Sequence, residues 1–207
     1  NIGDLNYDQS RIGAFEDRVE NTVGNEFRFL VLPTTSLIAE YRVGFVNYDT
    51  ANGRDSISHY ALLGIDHSFS PRLNISLRGG AEFRDFDNYG NTTDPYFEGT
   101  LLYALGKQTS ISWTSRYGLE EPDVPGSNSR TTFRTGLTLR HYFTQKFSTS
   151  AAVFYEHDNN DGFTADLVRS PSFTEDSVDL VLSARYAIKR CFALEAGYNF
   201  TKSEGRT

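Results

Sequence analysis

Histidines next to a serine or an acidic residue are the residues from which a hydrolase would be built. Three of the four histidines have such a neighbour, in the pairs Ser58–His59, Asp66–His67 and His157–Asp158. A nucleophile and its base must lie within hydrogen-bond reach, whereas neighbours within a β-strand point to opposite faces. The first two pairs lie in predicted strands and cannot cooperate. No serine or second acid is clearly placed beside His157, so we expect no enzymatic activity.

Metal binding is the second function that the residue types in this chain suggest. Residues 158–162 read DNNDG and resemble a calcium loop, but an EF-hand needs ligands at alternate positions and a Glu at position twelve, where this chain has Arg169. We therefore predict no metal or other cofactor, although loop acids could hold divalent cations loosely at a lipopolysaccharide surface. Cys191 is the one cysteine and lies in a predicted turn, so it is interpreted as an incidental thiol.

Arginines and acids recur at alternate positions throughout the chain. Arginine occurs sixteen times and lysine four times, and the lysines fall in short turns or after a strand. The net charge of −7 argues against a nucleic-acid partner. One predicted strand face carries both signs, which suits a confined polar lumen. The predicted pore-lining residues are Arg28, Glu40, Arg42, Asp66, Arg78, Glu82, Arg84, Glu98, Arg116, Arg134, Arg140, Glu156, Asp179, Arg185 and Glu195.

The elements that carry these residues are long, alternating strands. In residues 177–200 every second residue from Val178 to Ile188 is apolar, and the pattern restarts from Phe192 to Phe200 after a turn. A period of two indicates β-strand, and a tilted strand of about 9–11 residues crosses a bilayer. No run of eighteen apolar residues exists, so no transmembrane helix is predicted.

Ten such strands and one partial strand are predicted, with no helix. The partial strand is in residues 1–7, and the ten strands cover Val23–Leu32, Leu37–Tyr48, Ile57–Phe69, Leu73–Arg84, Tyr96–Leu105, Thr109–Leu119, Thr131–Phe143, Phe147–His157, Val178–Ile188 and Phe192–Phe200. Short turns alternate with long, acidic loops, which is the layout of bacterial outer-membrane barrels. A soluble barrel or sandwich also alternates, but strand length, the alternation of connections and the charged face argue against it.

The predicted fold is therefore all-β, a single antiparallel up-and-down transmembrane β-barrel over residues 1–207. Residues 1–7 resemble the end of a strand whose start is missing, and the chain does not end on an aromatic residue. We therefore expect part of the first strand and the closing strands to be missing, and the complete barrel to have at least twelve strands. Aromatic residues near strand ends are expected to form two interfacial girdles. They are Tyr48, Phe69, Phe83, Tyr96, Tyr117, Phe143, Phe147, Tyr155, Phe192 and Phe200.

Two short motifs and the hairpin plan resemble a known family. The motifs are Tyr41–Arg42 followed by Asn47–Tyr48–Asp49 at a strand end, and the turn Phe69–Ser70–Pro71–Arg72–Leu73. With the repeated hairpins they resemble the outer-membrane β-barrel porins of the second type, some of which are linked to exopolysaccharide export. This resemblance implies an outer-membrane location and a channel or export role, and it supplies no catalytic residues.

A polar lumen implies water, so the first functional hypothesis is a porin-like pore for passive diffusion of small solutes. The alternatives are a conduit for exopolysaccharide export, which depends on the resemblance alone, and a structural or adhesive barrel whose lumen is blocked by salt bridges. The expected partners are outer-membrane lipid and lipopolysaccharide, with solutes or polysaccharide in the lumen. The sequence indicates neither the substrate nor the oligomeric state.

Overall fold

Thirteen β-strands account for the secondary structure of the computed structural model, which describes residues 2–5, 18–48, 55–87, 90–120, 129–160, 163–165, 168–170, 172–189 and 192–206. In chain order they are β1 Ile2–Leu5, β2 Arg18–Leu32, β3 Thr35–Tyr48, β4 Ser56–Ser70, β5 Leu73–Phe86, β6 Gly90–Ala104, β7 Thr109–Glu120, β8 Arg130–Tyr142, β9 Phe147–Asn160, β10 Phe163–Ala165, β11 Val168–Ser170, β12 Phe173–Lys189 and β13 Phe192–Arg206. The described residues include no helix, and so none that could cross a membrane.

Eleven of these strands form one antiparallel sheet in simple up-and-down order. Each strand pairs with the next along the chain, in the order β1 to β9 followed by β12 and β13. The short strands β10 and β11 pair with each other as a separate hairpin between β9 and β12. The ten predicted full strands and the partial strand, β1, are confirmed, and so is the antiparallel up-and-down fold.

The strands are longer than their apolar alternation predicts. Strands β5 and β6 extend into the predicted loop at residues 85–94, β10 and β11 lie within the longest predicted loop, and β13 runs six residues past Phe200. The prediction that no lysine lies in a strand is wrong for two of the four lysines. Lys189 ends β12, and Lys202 is in β13, where it pairs in register with Val178 of β12. The backbone hydrogen bonds between neighbouring strands do not depend on apolar side chains, so the strands stay paired beyond the point where the hydrophobic alternation stops.

Burial in this sheet is inverted relative to a soluble protein. Large apolar side chains are exposed on one face, with 71% of Leu63 accessible, whereas the acid Glu82 on the other face is only 1% accessible. Monomeric soluble proteins rarely expose a contiguous apolar surface of this kind. A lipid-facing sheet shows this pattern because its outer solvent is hydrocarbon.

The polar face is concave. Arg42 of β3 hydrogen-bonds Glu98 of β6 at 2.7 Å, although three strand spacings and four residues along the strand separate them in the register. In a flat sheet that interval would be about 19 Å between Cα atoms, from the standard strand spacing and rise. The two side chains meet because the sheet curls toward them.

The hairpin at the β4–β5 turn recurs at the β8–β9 turn. The hydroxyls of Ser70 and Thr144 accept backbone N–H groups two and three residues on, at 3.0–3.2 Å. On the apolar face, His67 hydrogen-bonds Thr35 and packs edge-on against a phenylalanine, and His141 does the same with Thr109. Both histidines therefore lie beside short turns on the apolar face.

Candidate functional site on the concave face

The register places all fifteen predicted pore-lining residues on one face of the sheet. One row of directly opposed residues runs from Arg28 through Arg78, Glu98, Arg116 and Arg134 to β13. The other predicted lining residues are separated from a member of this row by an even number of positions on the same strand, so they share its face. That this face lines a pore remains a prediction.

The charges on β2 to β6 form one connected group, which we call the β2–β6 charge cluster. Its members are Glu26, Arg28, Glu40, Arg42, Asp66, Arg78 and Glu98. Arg78 is the most buried of them, with 8% of its side chain exposed, and contacts Asp66 at 2.7 Å, Glu26 at 3.3 Å and Glu40 at 3.7 Å. A cation that is largely removed from water needs this many partners, so Arg78 neutralises acids from three different strands.

A second group lies nearer the long loops. The carboxylate of Glu82 accepts hydrogen bonds from Ser58 at 2.8 Å, from Tyr60 at 3.0 Å and from Arg84 at 2.9 Å. Arg84 also reaches the Leu119 carbonyl on β7 at 3.5 Å. The sequence predicted Glu82 and Arg84 as wall residues but gave no sign that Ser58 and Tyr60 would join them, because these partners come from a neighbouring strand.

Glycines allow the long side chains on this face to lie flat along the wall. A Cβ on Gly64 would approach the Arg78 side chain to 2.5 Å, one on Gly118 would meet the Tyr96 ring at 2.8 Å, and one on Gly136 would meet the Phe154 ring at 2.2 Å. Each glycine thus provides the space that a larger neighbour crosses. As a result, these side chains cover the sheet instead of projecting from it.

Further ion pairs lie on strands β7 to β9. Arg116 contacts Glu120 at 3.2 Å, and Arg134 contacts Glu156 at 3.4 Å. Both arginine side chains are about half exposed, so these pairs are more accessible to water than the Arg78 group.

Two of the predicted girdle aromatics are on the wrong face. Tyr48 and Tyr96 share strand parity with Arg42 and Glu98, and both are buried on the concave side. Tyr96 donates a hydrogen bond to Glu98 at 2.7 Å and packs edge-on against Tyr60 at 5.4 Å between ring centroids. A girdle position is predicted for these tyrosines because they lie near strand ends. The face on which a side chain lies is set by the alternation of residues along the strand, and this alternation places both on the concave face.

The histidine pairs singled out as possible dyads are not brought together. Ser58 bonds Glu82 whereas His59 bonds Tyr41, and Asp66 bonds Arg78 whereas His67 bonds Thr35. His157 contacts Asp176 at 2.8 Å, and its chain neighbour Asp158 accepts from Thr132 at 2.6 Å. The described residues contain no cluster of three or more metal-ligating side chains. The Cys191 thiol and residues 161–162 of the DNNDG stretch lie outside the described residues.

Comparison with known families identifies the family of this chain. A family model described as "Putative beta-barrel porin 2" matches residues 6–206. The chain belongs to this family. The predicted resemblance is thereby confirmed over nearly the whole length of the chain.

The solved structures similar to this chain are those of longer proteins. The FrpB iron transporter from Neisseria meningitidis, F3-3 variant, superposes with a TM-score of 0.62 at 11% identity, covering 90% of this chain and 36% of the transporter. The apoprotein form of the F5-1 variant gives 0.60 at 13% identity, covering 92% and 37%. This chain therefore spans about a third of the transporters' length, and the likeness concerns the fold alone. A comparison with curated proteins found no match.

Proposed function

We propose that this β-barrel porin forms a polar, water-filled pore for passive diffusion of small solutes across a bacterial outer membrane. The observation that carries the proposal is the flat-lying charged wall. Arg78 crosses Gly64 to reach Asp66 on the adjacent strand at 2.7 Å, and Arg42 pairs with Glu40 two residues away on its own strand. A wall neutralised in this way does not need partners across the bore, which favours a pore over a barrel blocked by salt bridges.

The outer-membrane location is supported by the inverted burial and by the family. Exposed leucine, valine and phenylalanine side chains cover the convex face, and a lipid-facing band of such residues is what outer-membrane barrels present. The described strands have 12–17 residues apart from the short strands β1, β10 and β11. A bilayer crossing uses about 9–11 residues of a tilted strand, so these strands are long enough to cross and extend beyond the membrane. The expected partners are accordingly lipid and lipopolysaccharide.

The experiment that tests the proposal is single-channel recording of the full-length protein in a planar bilayer, repeated with oligosaccharides of increasing length. A steady conductance that added sugar leaves unchanged is the expected result. Block of the current by long glycans would favour polysaccharide export instead. Silence at every salt concentration and voltage would overturn the pore and leave a structural role.

A further inference from the structure

A cavity of about 260 Å³ lies on the concave face where β8, β9, β12 and β13 approach their short turns. We call it the turn-end pocket. Its charged lining consists of Arg140, Lys146, Arg185 and Glu195, and Ser150 and Ser183 contribute hydroxyls. Three cations thus share the pocket with one carboxylate.

The two arginines of the turn-end pocket differ from those of the β2–β6 charge cluster. Arg28, Arg42 and Arg78 each contact at least two carboxylates. In the part of the chain that the structure describes, Arg140 and Arg185 have no carboxylate within 4.0 Å and no side-chain hydrogen bond. Glu195 is directly opposite Arg185 in the register, yet the two do not form an ion pair. Both guanidinium groups are therefore available to a ligand.

The register brings the two arginines to opposite sides of one strand. Arg140 of β8 is opposite Ser150 of β9, and Arg185 of β12 is opposite Ser148, two residues away on the same strand. Side chains from β8 and β12 can therefore converge over β9. Ser150 and Ser183 hydrogen-bond each other at 2.8 Å, and the hydroxyl that accepts in this pair keeps its own proton for a ligand.

We propose that the turn-end pocket binds an oxyanion, namely the phosphate, sulfate or carboxylate group of a solute in the lumen. The planar guanidinium fork matches such groups with two parallel hydrogen bonds. An uncompensated excess of positive charge on a confined polar wall attracts the opposite charge, and a neighbouring hydroxyl can donate an additional bond. The inference rests on the proposed function in that a solute reaches the pocket through the lumen.

Protection from an arginine-specific reagent tests this site without measuring conduction. The full-length protein in lipid vesicles is treated with phenylglyoxal in sodium sulfate or in sodium chloride of the same ionic strength, and modification of each arginine is followed by mass spectrometry. We expect sulfate to slow modification of Arg140 and Arg185 several-fold, with no comparable effect on Arg28, which is half exposed but already paired. Equal slowing at all three arginines would overturn the proposal.

A single variant tests whether the two arginines share one anion. In Arg140→Gln the sulfate protection of Arg185 should be lost, whereas Arg28→Gln should leave it intact. Persistence of Arg185 protection in Arg140→Gln would contradict a shared site. If Arg140→Gln does not fold, the reciprocal variant Arg185→Gln is used, and the sulfate protection of Arg140 is measured instead. Folding of each variant is judged from the electrophoretic mobility of the unheated protein.

The two proposals can fail separately. Protection without any channel current would retain the anion site and reject the pore. A current without selective protection would retain the pore and reject the anion site.

Discussion

At the scale of single residues, Arg78 holds together acids that would otherwise repel one another. It contacts Glu26, Glu40 and Asp66, which come from three strands, and its own side chain is almost completely buried. Removing one partner of a buried ion pair leaves the other charge uncompensated, which costs more than the pair contributes. The effect of substitution here should therefore exceed that of substituting an exposed arginine in the same cluster.

We expect Arg78→Gln to lower the free energy of unfolding in vesicles by about 3 kcal/mol, the lower end for breaking a buried ion pair, because its acids are partly hydrated. Arg28→Gln removes the same charge from the same cluster, but Arg28 is 54% exposed. Its cost should stay under about 1 kcal/mol, as for other surface pairs. Urea titration of the two variants beside the wild type measures both, and equal losses would show that Arg78 has no special role.

Glycine on the concave face provides a second residue-scale prediction. A Cβ at Gly80 would come within 2.0 Å of the Ala61 carbonyl oxygen, which is backbone and cannot swing aside. We expect Gly80→Ala to destabilise the protein by about 1–3 kcal/mol, the usual cost of overpacking.

The matched control is the neighbouring residue on the opposite face. A Cβ at Gly79 would meet only the Tyr96 carbonyl oxygen, at 3.9 Å, so Gly79→Ala should change the free energy of unfolding little. Thermal or urea unfolding of both variants in the same lipid decides the question. A Gly80→Ala protein as stable as Gly79→Ala would mean that β4 and β5 separate at little cost.

At the scale of elements, each strand has one face for lipid and one for the lumen. Leu182 is on the exposed apolar face of β12, and its neighbour Val181 is on the concave face beside Ala152 and Asn199. We expect Leu182→Arg to lose roughly 2–4 kcal/mol of stability in a bilayer, the cost of a lipid-facing cation near the midplane.

Val181→Arg is the matched control, since it places the same side chain one residue away on the face that already carries arginines. It should fold into vesicles with a distinctly smaller loss. Folding yields and urea midpoints in bilayers report both variants. If Leu182→Arg folded as well as wild type, the assignment of the two faces would be reversed or the sheet would not face lipid.

The elements were predictable because alternation is a local signal. Apolar residues at every second position located the ten long strands and placed residues such as Arg28 and Arg140 on the correct face. The extensions of β6 and β13, residues 90–95 and 201–206, lacked that signal because they contain no large apolar side chain on either face. The partners of Arg42 and Arg78 could not be predicted either, since contacts between strands two or three apart depend on the curvature of the whole sheet.

At the scale of the whole molecule, charge is nearly balanced but unevenly distributed. The predicted lining contains eight arginines, namely Arg28, Arg42, Arg78, Arg84, Arg116, Arg134, Arg140 and Arg185, and seven acids, namely Glu40, Asp66, Glu82, Glu98, Glu156, Asp179 and Glu195. Toward the long loops the cations lie against acids, as Arg84 does against Glu82 at 2.8 Å. The excess positive charge is concentrated in the turn-end pocket, so this region should dominate the selectivity of a channel.

We expect the wild-type channel to discriminate weakly between potassium and chloride, because nearly equal charges of opposite sign cancel along the wall. The double variant Arg140→Gln/Arg185→Gln removes two cations and should shift the reversal potential in a KCl gradient toward that of a potassium-selective pore. Glu195→Gln removes the one carboxylate of the same pocket and should shift it the opposite way. Both shifts should be larger at 0.1 M than at 1 M salt, since the screening length falls from about 10 Å to about 3 Å. Shifts of the same sign in both variants, or none in either, would show that the turn-end pocket does not border the path of the ions.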